Sequence, residues 1–175
     1  FALPILDRLS RDAQPAKRRS ARVLVLAPTR ELAGQIAESF RTYGRFLKLT
    51  VATVFGGTRI NPQIRQMERG VDVLVATPGR LIDLIEQQAI TLAHVEVLVL
   101  DEADQMLDLG FIHALRRIVP MLPKQRQTLF FSATMPKSIA ELAAKFLTNP
   151  VQVAVTPTAT TVDTVVQRAT FVNQS

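Results

Sequence analysis

The 175-residue chain has no cysteine, no tryptophan and a single tyrosine. The lack of cysteine excludes a disulfide framework, thiolate metal ligands and cysteine nucleophiles; it is compatible with a reducing compartment, so we expect a cytoplasmic protein. No apolar run reaches the roughly 18 residues of a membrane span and no signal-peptide pattern occurs, so no membrane partner is expected. Aromatic residues make up only 6% of the chain, which argues against recognition of nucleic acid by base stacking.

The remaining composition is that of one globular domain with an uneven charge. Hydrophobic residues make up 47% and charged residues 21%, and a chain of this length can bury about 70% of its extended surface. The net charge is +6, and residues 1–48 account for all of it with ten Lys or Arg and four Asp or Glu. A basic balance favours an acidic partner, most often nucleic acid. The run Lys17-Arg18-Arg19 by itself is more simply interpreted as a solvated loop that binds nothing specific.

Short apolar runs alternate with segments of helical periodicity. The apolar runs predict six strands, at residues 22–27, 50–54, 72–76, 95–100, 127–131 and 151–155. Four of them are nearly continuous in Val, Leu and Phe, which is typical of strands covered on both faces in a parallel sheet. The first long helix between them is predicted to carry Leu32, Ile36, Phe40 and Leu47 on one face. The alternation predicts an α/β fold, a doubly wound, mainly parallel sheet flanked by helices.

Both ends of the sequence indicate an interior piece of a longer protein. Phe1 lies inside an apolar helical pattern that has no cap before it. Residues 156–164 have the Thr-rich composition of a linker, and an alternating run follows at 165–172. We therefore expect residues 1–155 to form one lobe that is incomplete at its amino end, residues 156–164 a linker, and residues 165–175 the start of a second lobe.

Polar clusters directly follow four of the predicted strands. They are Pro28-Thr29-Arg30-Glu31, Thr77-Pro78-Gly79-Arg80, Asp101-Glu102-Ala103-Asp104 and Ser132-Ala133-Thr134. Ligands of open α/β sheets bind at the carboxyl ends of the strands. The four clusters are therefore expected to share one edge of the sheet and to form one site.

The acidic cluster has the position of a nucleotide-hydrolysing site. An Asp at the end of a buried strand, here Asp101, can hold Mg²⁺ directly or through water, and the following Glu102 can orient and deprotonate an attacking water. The alternative is that these acids only complement the dipole at a helix N-terminus. Asp108 is more simply a surface or capping acid. His94 and His113 are isolated and lack metal-ligand spacing.

The clusters at residues 28–31 and 77–80 have two interpretations. Hydroxyls, backbone N–H groups at helix starts and Arg side chains are common donors to phosphate oxygens. Thr is equally a good N-cap, and Pro suits the first helical turn. Gly56-Gly57 permits either the close approach of a nucleic-acid backbone or a simple turn. The phosphate-loop pattern G-x-x-x-x-G-K-[ST] does not occur in the 175 residues.

Five motifs, in their order and spacing, resemble those of DEAD-box ATP-dependent RNA helicases. They are Pro28-Thr29-Arg30-Glu31-Leu32-Ala33, Gly56-Gly57, Thr77-Pro78-Gly79-Arg80, Asp101-Glu102-Ala103-Asp104 and Ser132-Ala133-Thr134. The strings DEADQMLDLGF and FSATMP also resemble sequences of this family. Among its members the bacterial ones, and the RhlE subgroup in particular, fit best. The resemblance covers essentially the whole chain. It implies the amino-terminal RecA-like lobe of such a helicase, a P-loop NTPase-type lobe without its upstream phosphate loop.

The resemblance also implies a role for each motif. Asp101, through water, and Glu102 would serve Mg²⁺–ATP and the hydrolytic water. Asp104 would contact Ser132 and Thr134 and so link hydrolysis to strand separation. The residues implied to hold the RNA backbone, with little sequence preference, are Pro28, Thr29, Arg30, Gly56, Gly57, Thr77, Pro78, Gly79 and Arg80. The implied protein partner is a second RecA-like lobe of the same parent chain.

The expected function is that of one part of an ATP-dependent RNA helicase, which uses ATP hydrolysis to unwind or remodel RNA duplexes locally. The isolated chain is expected to be catalytically incomplete, since the phosphate loop and the second lobe are not in it. One alternative is a non-catalytic RNA-binding module that keeps the fold. Another is a superfamily 2 translocase that acts on DNA, against which Asp104 argues because many such relatives carry His there.

Overall fold

The computed structural model describes residues 1–12 and 14–154, which form a five-stranded parallel sheet with helices on both faces. The strands are β1 (Ala21–Leu26), β2 (Val51–Val54), β3 (Val71–Ala76), β4 (Val97–Leu100) and β5 (Gln127–Phe130). The helices are α1 (Ala2–Arg11), α2 (Arg30–Tyr43), α3 (Ile60–Met67), α4 (Pro78–Glu86), α5 (Ala103–Asp108), α6 (Ile112–Ile118) and α7 (Lys137–Phe146), and a 3-10 turn covers Val119–Met121. The spatial order of the strands is β2-β3-β1-β4-β5. The predicted doubly wound parallel fold is confirmed.

The three central strands are buried along their whole length because both of their faces are covered. Alternate residues of a strand point to opposite faces, and here the two faces differ in residue type. Leucines of β1, β3 and β4 pack in one cluster with side chains of α3 to α7, and valines of the same strands pack in another with α1 and α2. The valine side receives the large, fully buried Phe40 of α2. These two apolar layers cover the two faces of the sheet and hold its central strands in place.

Two of the sequence predictions are wrong in their local detail. Helix α2 ends at Tyr43 with Gly44 as its C-cap, so Leu47 does not continue the helix, although it still packs against the same valine-side core. Glycine favours this ending because it has a low helix propensity. Residues 151–154 form no strand, and Val151 and Val153 are 91% and 87% exposed. Their alternating pattern is compatible with a strand, but alternation alone provides no pairing, and residues 151–154 pair with none of the five strands.

The predicted linker at 156–164 and the predicted second-lobe strand within 165–175 lie outside the described residues. Within residues 1–12 and 14–154, none of the helices has both the length and the apolar character needed to cross a bilayer.

Candidate nucleotide and nucleic-acid site

The carboxyl edge of the sheet collects all five polar motifs, since every strand runs in the same direction. Along this edge the motifs follow the spatial order of the strands rather than the order of the chain. From one end to the other they are Gly56-Gly57 after β2, residues 77–80 after β3, residues 28–31 after β1, residues 101–104 after β4 and residues 132–134 after β5. One half of the edge carries the glycines, threonines and arginines that follow β2, β3 and β1, and the other half, which we call the acidic half, carries Asp101, Glu102 and Asp104 with the hydroxyls of residues 132–134.

Backbone hydrogen bonds connect three of the motif segments to the ends of neighbouring strands. The N–H of Asp101 donates to the carbonyl of Leu26 at 3.0 Å, and the N–H of Thr77 donates to the carbonyl of Val54, also at 3.0 Å. On the acidic half, the N–H of Ala103 donates to the carbonyl of Phe131 at 3.0 Å. The first residue or the turn of each of these motifs is therefore held by the end of a neighbouring strand. Such anchoring on buried strands gives a site its fixed geometry.

Asp101 and Glu102 form a sharp corner between β4 and α5. Glu102 has φ 51° and ψ 54°, the left-handed region, and acts as the backbone N-cap of α5. A non-glycine residue there carries strain of about 1–3 kcal/mol, and such strain is typical of functional sites. The corner turns the Glu102 side chain out to solvent while Asp101 stays half-buried. Burial raises the pKa of Asp101 above its usual range.

The donor set at this corner suits a magnesium ion that is held mainly by nucleotide and water. No group of three His, Cys, Asp or Glu able to hold a metal occurs in the part of the chain that the structure describes, and His94 and His113 are exposed. Mg²⁺ normally keeps several waters and binds through one or two carboxylates together with substrate phosphates. The single half-buried carboxylate of Asp101 fits that mode, and its burial disfavours the ionised form until a cation is near.

Asp104 joins the end of β4 to the end of β5. Its Oδ2 accepts two hydrogen bonds from Thr134, one from the backbone N–H at 3.0 Å and one from the hydroxyl at 2.8 Å. The hydroxyl of Ser132 donates to the carbonyl of Thr134 at 2.7 Å and closes the turn. These hydrogen bonds attach residues 132–134 to the first turn of α5.

Opposing effects act on the pKa of Asp104. Partial burial raises it, and the hydrogen bonds from the Thr134 hydroxyl and from the backbone N–H groups of Thr134 and Gln105 lower it. The hydrogen bonds together outweigh burial, and the pKa of Asp104 lies below its usual value. Since donors that favour the charged form lower a carboxyl pKa, this group is held as a carboxylate.

On the other half of the edge, Thr29 and Thr77 differ in how they begin their helices. The Thr29 hydroxyl oxygen accepts from the N–H of Leu32 at 3.2 Å, so it caps α2. Thr77 precedes α4 with no such side-chain bond, although Pro78 occupies the first turn. The capping interpretation thus holds for Thr29 alone. Pro28, Thr77 and Pro78 are buried and Gly79 is exposed, so Gly79 is the accessible part of the 77–79 segment.

Arg30 extends over the loop that follows β2. Its guanidinium carbon lies 5.1 Å from the centroid of the Phe55 ring, a cation–π contact. A Cβ at Gly57 would lie 2.8 Å from Nη1 of Arg30, and Gly57 has φ +76°. The positive φ of Gly57 favours glycine, and a larger residue there would also displace the end of the Arg30 side chain. Gly56 faces open space.

Gln63 shapes this loop, and the sequence analysis did not select it. Its Nε2 donates to the carbonyl of Phe55 at 3.1 Å and to the hydroxyl of Thr58 at 2.7 Å, while its Oε1 accepts from the N–H of Phe55 at 3.2 Å. The side chain is only 8% exposed. A signal was present in the sequence: Gln63 occupies an inward position between Ile60 and Met67 in the helical pattern of α3, where an apolar residue is normally found.

Arg80 points inward rather than out from the edge. Its side chain is 11% exposed, donates from Nη2 to the carbonyl of Thr58 at 3.0 Å, and pairs through Nε with Asp83 at 3.2 Å. Its Nη1 is buried and has no hydrogen-bond partner among the described residues. In this arrangement Arg80 ties the loop of residues 55–59, which we call the glycine loop, to α4. Its predicted contact with an RNA phosphate remains a prediction.

The DEAD/DEAH box helicase family model matches residues 1–142 of the chain. The chain belongs to this family. The sequence Asp-Glu-Ala-Asp, from which the DEAD box takes its name, occupies residues 101–104 at the corner described above.

Individual DEAD-box relatives match most of the chain. The RNA helicase CrhR of Synechocystis sp. is 44% identical over 161 residues, which is 92% of this chain and 32% of CrhR. DEAD-box ATP-dependent RNA helicase 14 of Arabidopsis thaliana is 47% identical over 148 residues, 85% of this chain and 23% of the relative. The chain therefore spans about a third or less of the length of these relatives. Assignment to a bacterial subgroup stays a prediction.

Solved structures of the family share the fold. The yeast DEAD-box splicing factor Prp28 has a TM-score of 0.77 and 36% identity, with 85% of this chain and 36% of that chain covered. A hypothetical ATP-dependent RNA helicase from Sulfolobus tokodaii has a TM-score of 0.73 and 38% identity, with 85% and 41% covered. The five-stranded parallel sheet is thus the RecA-like lobe of a DEAD-box helicase.

Proposed function

We propose that the full-length protein is an ATP-dependent RNA helicase that locally unwinds or remodels RNA duplexes, and that this chain supplies most of its first RecA-like lobe. The observation that carries the proposal is the division of one sheet edge into two halves. Three carboxylates and two hydroxyls lie after β4 and β5. Glycines, threonines and arginines, residue types that commonly contact phosphates, lie after β1, β2 and β3. An enzyme that couples nucleotide hydrolysis to RNA rearrangement needs both kinds of site on one rigid frame.

On the acidic half, each residue has a role that its geometry suits. Asp101 would hold Mg²⁺ through water, and the ion would supply charge neutralisation at the phosphates of bound ATP. Glu102, turned out to solvent at the strained corner, would orient the attacking water and accept its proton. Asp104 would keep residues 132–134 attached to that corner through its bonds to Thr134.

On the other half, the RNA backbone would lie across the helix starts and the glycine loop. Arg30 is exposed and lies over Phe55, so its guanidinium is accessible to a phosphate while its position is fixed. Gly56, Gly57 and Gly79 lack side chains, which lets a sugar–phosphate backbone approach closely. Thr29, Thr77, Pro28 and Pro78 would set the helix starts, and Arg80 would hold the loop. These contacts do not reach base edges, so little sequence preference is expected.

ATP hydrolysis requires more than the 175 residues contain. A triphosphate needs a cradle of the G-x-x-x-x-G-K-[ST] type, and that pattern is not in this sequence. We therefore propose that residues 1–175 alone neither hydrolyse ATP nor unwind RNA. The full-length protein would add the phosphate loop and a second RecA-like lobe.

The proposal is tested on the full-length protein by the change Glu102→Gln. ATP turnover is expected to fall by at least about a hundredfold, the size typical of losing a general base, while ATP-dependent RNA binding is kept. The matched control is Asp108→Asn, an exposed acid at the other end of the same short helix, which should leave turnover unchanged.

Three outcomes would contradict the proposal. If Glu102→Gln lost ATP turnover and RNA binding to the same extent, Glu102 would not be the group that activates the attacking water. A full-length protein that binds RNA but has no RNA-stimulated ATPase activity would be a non-catalytic RNA-binding module. A preference for DNA duplexes over RNA duplexes would make it a DNA translocase.

A further inference from the structure

Five exposed cations gather at the amino edge of the sheet, opposite the site described above. Three of them are Lys17, Arg18 and Arg19 in the loop before β1, and two are Arg65 and Arg69 at the end of α3 and just after it. We call these five residues the amino-edge patch. Residue Glu68 is the one acid that lies within these two segments. The strand-end site uses none of them.

Backbone contacts hold the two segments of the patch together. The N–H of Arg19 donates to the carbonyl of Met67 at 3.1 Å, at the end of α3. Gly70 has φ +79°, and a Cβ there would lie 2.0 Å from the carbonyl oxygen of Lys17, so the two loops are in direct backbone contact. The carbonyl of Arg19 also accepts from the N–H of Thr91 at 2.7 Å. The patch is therefore a fixed surface built on the sheet.

The charges of the patch are not compensated in the way that other cations of the chain are. Within residues 1–12 and 14–154, the ion pairs within 4.0 Å include Arg11 with Asp7, Arg41 with Glu38 and Arg117 with Glu86, but none that involves a patch residue. Even Arg22, buried on β1, is paired with Asp12 and Glu96. Five neighbouring cations without carboxylate partners repel one another and attract a polyanion.

Helix α3 connects the patch to the proposed RNA-binding half of the carboxyl edge. The helix begins next to the glycine loop, with Arg59 as its exposed N-cap residue, and ends beside Arg65. Its eight residues span about 12 Å at about 1.5 Å per residue. That distance corresponds to about four base pairs at about 3.4 Å each. The patch therefore lies within a few base pairs of a nucleic acid held at the glycine loop.

We propose that the amino-edge patch is a second RNA contact, which binds the phosphate backbone of a duplex that flanks the strand held at the carboxyl edge. The inference rests on the proposed helicase function. The patch contains no aromatic residue, so it would attract phosphates without stacking on bases and without sequence preference. Its role would be to retain the duplex portion of the substrate near the site that engages the single strand.

The test uses the full-length protein with the changes Lys17→Gln, Arg18→Gln and Arg19→Asn. Asparagine is chosen at residue 19 because Arg19 has φ 53°, a conformation that asparagine tolerates better than most residues. Two RNA probes are compared: a short single strand that fills only the carboxyl edge, and the same strand continued by a duplex. We expect the Kd for the duplex-bearing probe to rise about tenfold, with its salt slope smaller by about one for each lost phosphate contact.

The same variant should leave the Kd for the short single strand and the kcat for ATP at saturating RNA unchanged. The control variant is Arg11→Gln, Arg41→Gln and Arg117→Gln, which removes the same net charge from cations that are already paired on helices. This control should bind both probes like the unmodified protein. The pair Arg65→Gln and Arg69→Gln tests the other segment of the patch and should reproduce the effect if the triple variant fails to fold.

Several results would overturn the inference. Equal affinities of the patch variants and the unmodified protein for the duplex-bearing probe would show that the patch does not contact RNA, with the helicase function intact. An equal loss of affinity for the duplex-bearing probe in the control variant would show that the effect comes from the change in net charge and not from the patch. Patch-dependent binding to phosphatidylserine vesicles, with RNA binding unchanged, would make the partner a membrane surface. Failure of the unmodified protein to bind either probe would contradict the proposed function itself.

Discussion

Asp104 Oδ2 lies 2.8 Å from the Thr134 hydroxyl and 3.0 Å from the Thr134 backbone nitrogen, although the two residues are 30 positions apart in the chain. This double hydrogen bond fastens the turn after β5 to the first turn of α5. Under the proposed function, we expect this contact to couple ATP hydrolysis at Asp101 and Glu102 to residues 132–134.

Thr134→Val is expected to separate hydrolysis from unwinding in the full-length protein. The change removes the hydroxyl donor to Asp104 and keeps the shape of the side chain, and a hydrogen bond to a charged group contributes about 1.5–3 kcal/mol. We expect unwinding to fall about tenfold or more while RNA-stimulated ATP turnover changes less. The control is Thr42→Val, which removes a hydroxyl donor to the carboxylate of Glu38 on the exposed face of α2. Parallel losses of both activities would show that this bond is not a coupling contact.

Asp104→Asn is expected to change the pH dependence of stability. The hydrogen bonds from Thr134 and Gln105 outweigh partial burial and lower the pKa of Asp104 in the folded state below its usual value. A lowered carboxyl pKa stabilises the folded state above the unfolded pKa, near 3.9, and this stabilisation is lost as pH falls through the folded value. The free energy of unfolding of the unmodified protein should therefore exceed that of Asp104→Asn by more at pH 6 than at pH 2.5. A pH-independent difference, measured by urea denaturation, would contradict this prediction.

Glu102→Gly is expected to stabilise the protein while it abolishes hydrolysis. Glu102 has φ 51°, where a non-glycine residue costs about 1–3 kcal/mol. Because glycine loses more conformational entropy on folding, by roughly 0.5–1 kcal/mol, the free energy of unfolding should rise by about 1 kcal/mol. Gln88→Gly is the matched control, because Gln88 has φ 55° and lies outside the site. The control should gain similar stability and keep full ATP turnover. A Glu102→Gly variant that is no more stable than the unmodified protein would show that the corner stores no strain.

Gln63→Ala is expected to weaken RNA binding without removing an RNA contact. The buried amide holds Phe55 and Thr58 through hydrogen bonds. Its loss leaves backbone groups of Phe55 without hydrogen-bond partners, and each such buried group costs about 1–3 kcal/mol of stability. We expect a roughly tenfold rise in the Kd for RNA and little change in the Kd for ATP. Gln66→Ala, at an exposed position of the same helix, should change neither. Gln63→Glu keeps an acceptor for the Phe55 N–H and should lose less affinity than Gln63→Ala if Gln63 acts by positioning the loop.

Much of the fold was predictable because it depends on local patterns. Continuous runs of Val and Leu predicted β1, β3 and β4 because strands covered on both faces have no polar side to interrupt the pattern. The polar clusters at strand ends predicted a common edge because all parallel strands end on the same side. The predicted strand at 151–155 is wrong over residues 151–154, because an alternating pattern does not determine whether the segment pairs with the free edge of β5.

The sequence by itself determined the positions of the five observed strands, although it also predicted a sixth, and it determined the residue types that follow each strand and the family to which the motifs belong. Only the tertiary structure decided which motifs are neighbours. The spatial order β2-β3-β1-β4-β5 places the glycine loop beside α2 and α4 and places Asp104 beside Thr134. Crossovers set this order, and crossovers depend on how whole helices pack on the two faces of the sheet rather than on local spacing. For the same reason, the inward direction of Arg80, the anchoring role of Gln63 and the assembly of the amino-edge patch from two distant segments emerged only in three dimensions.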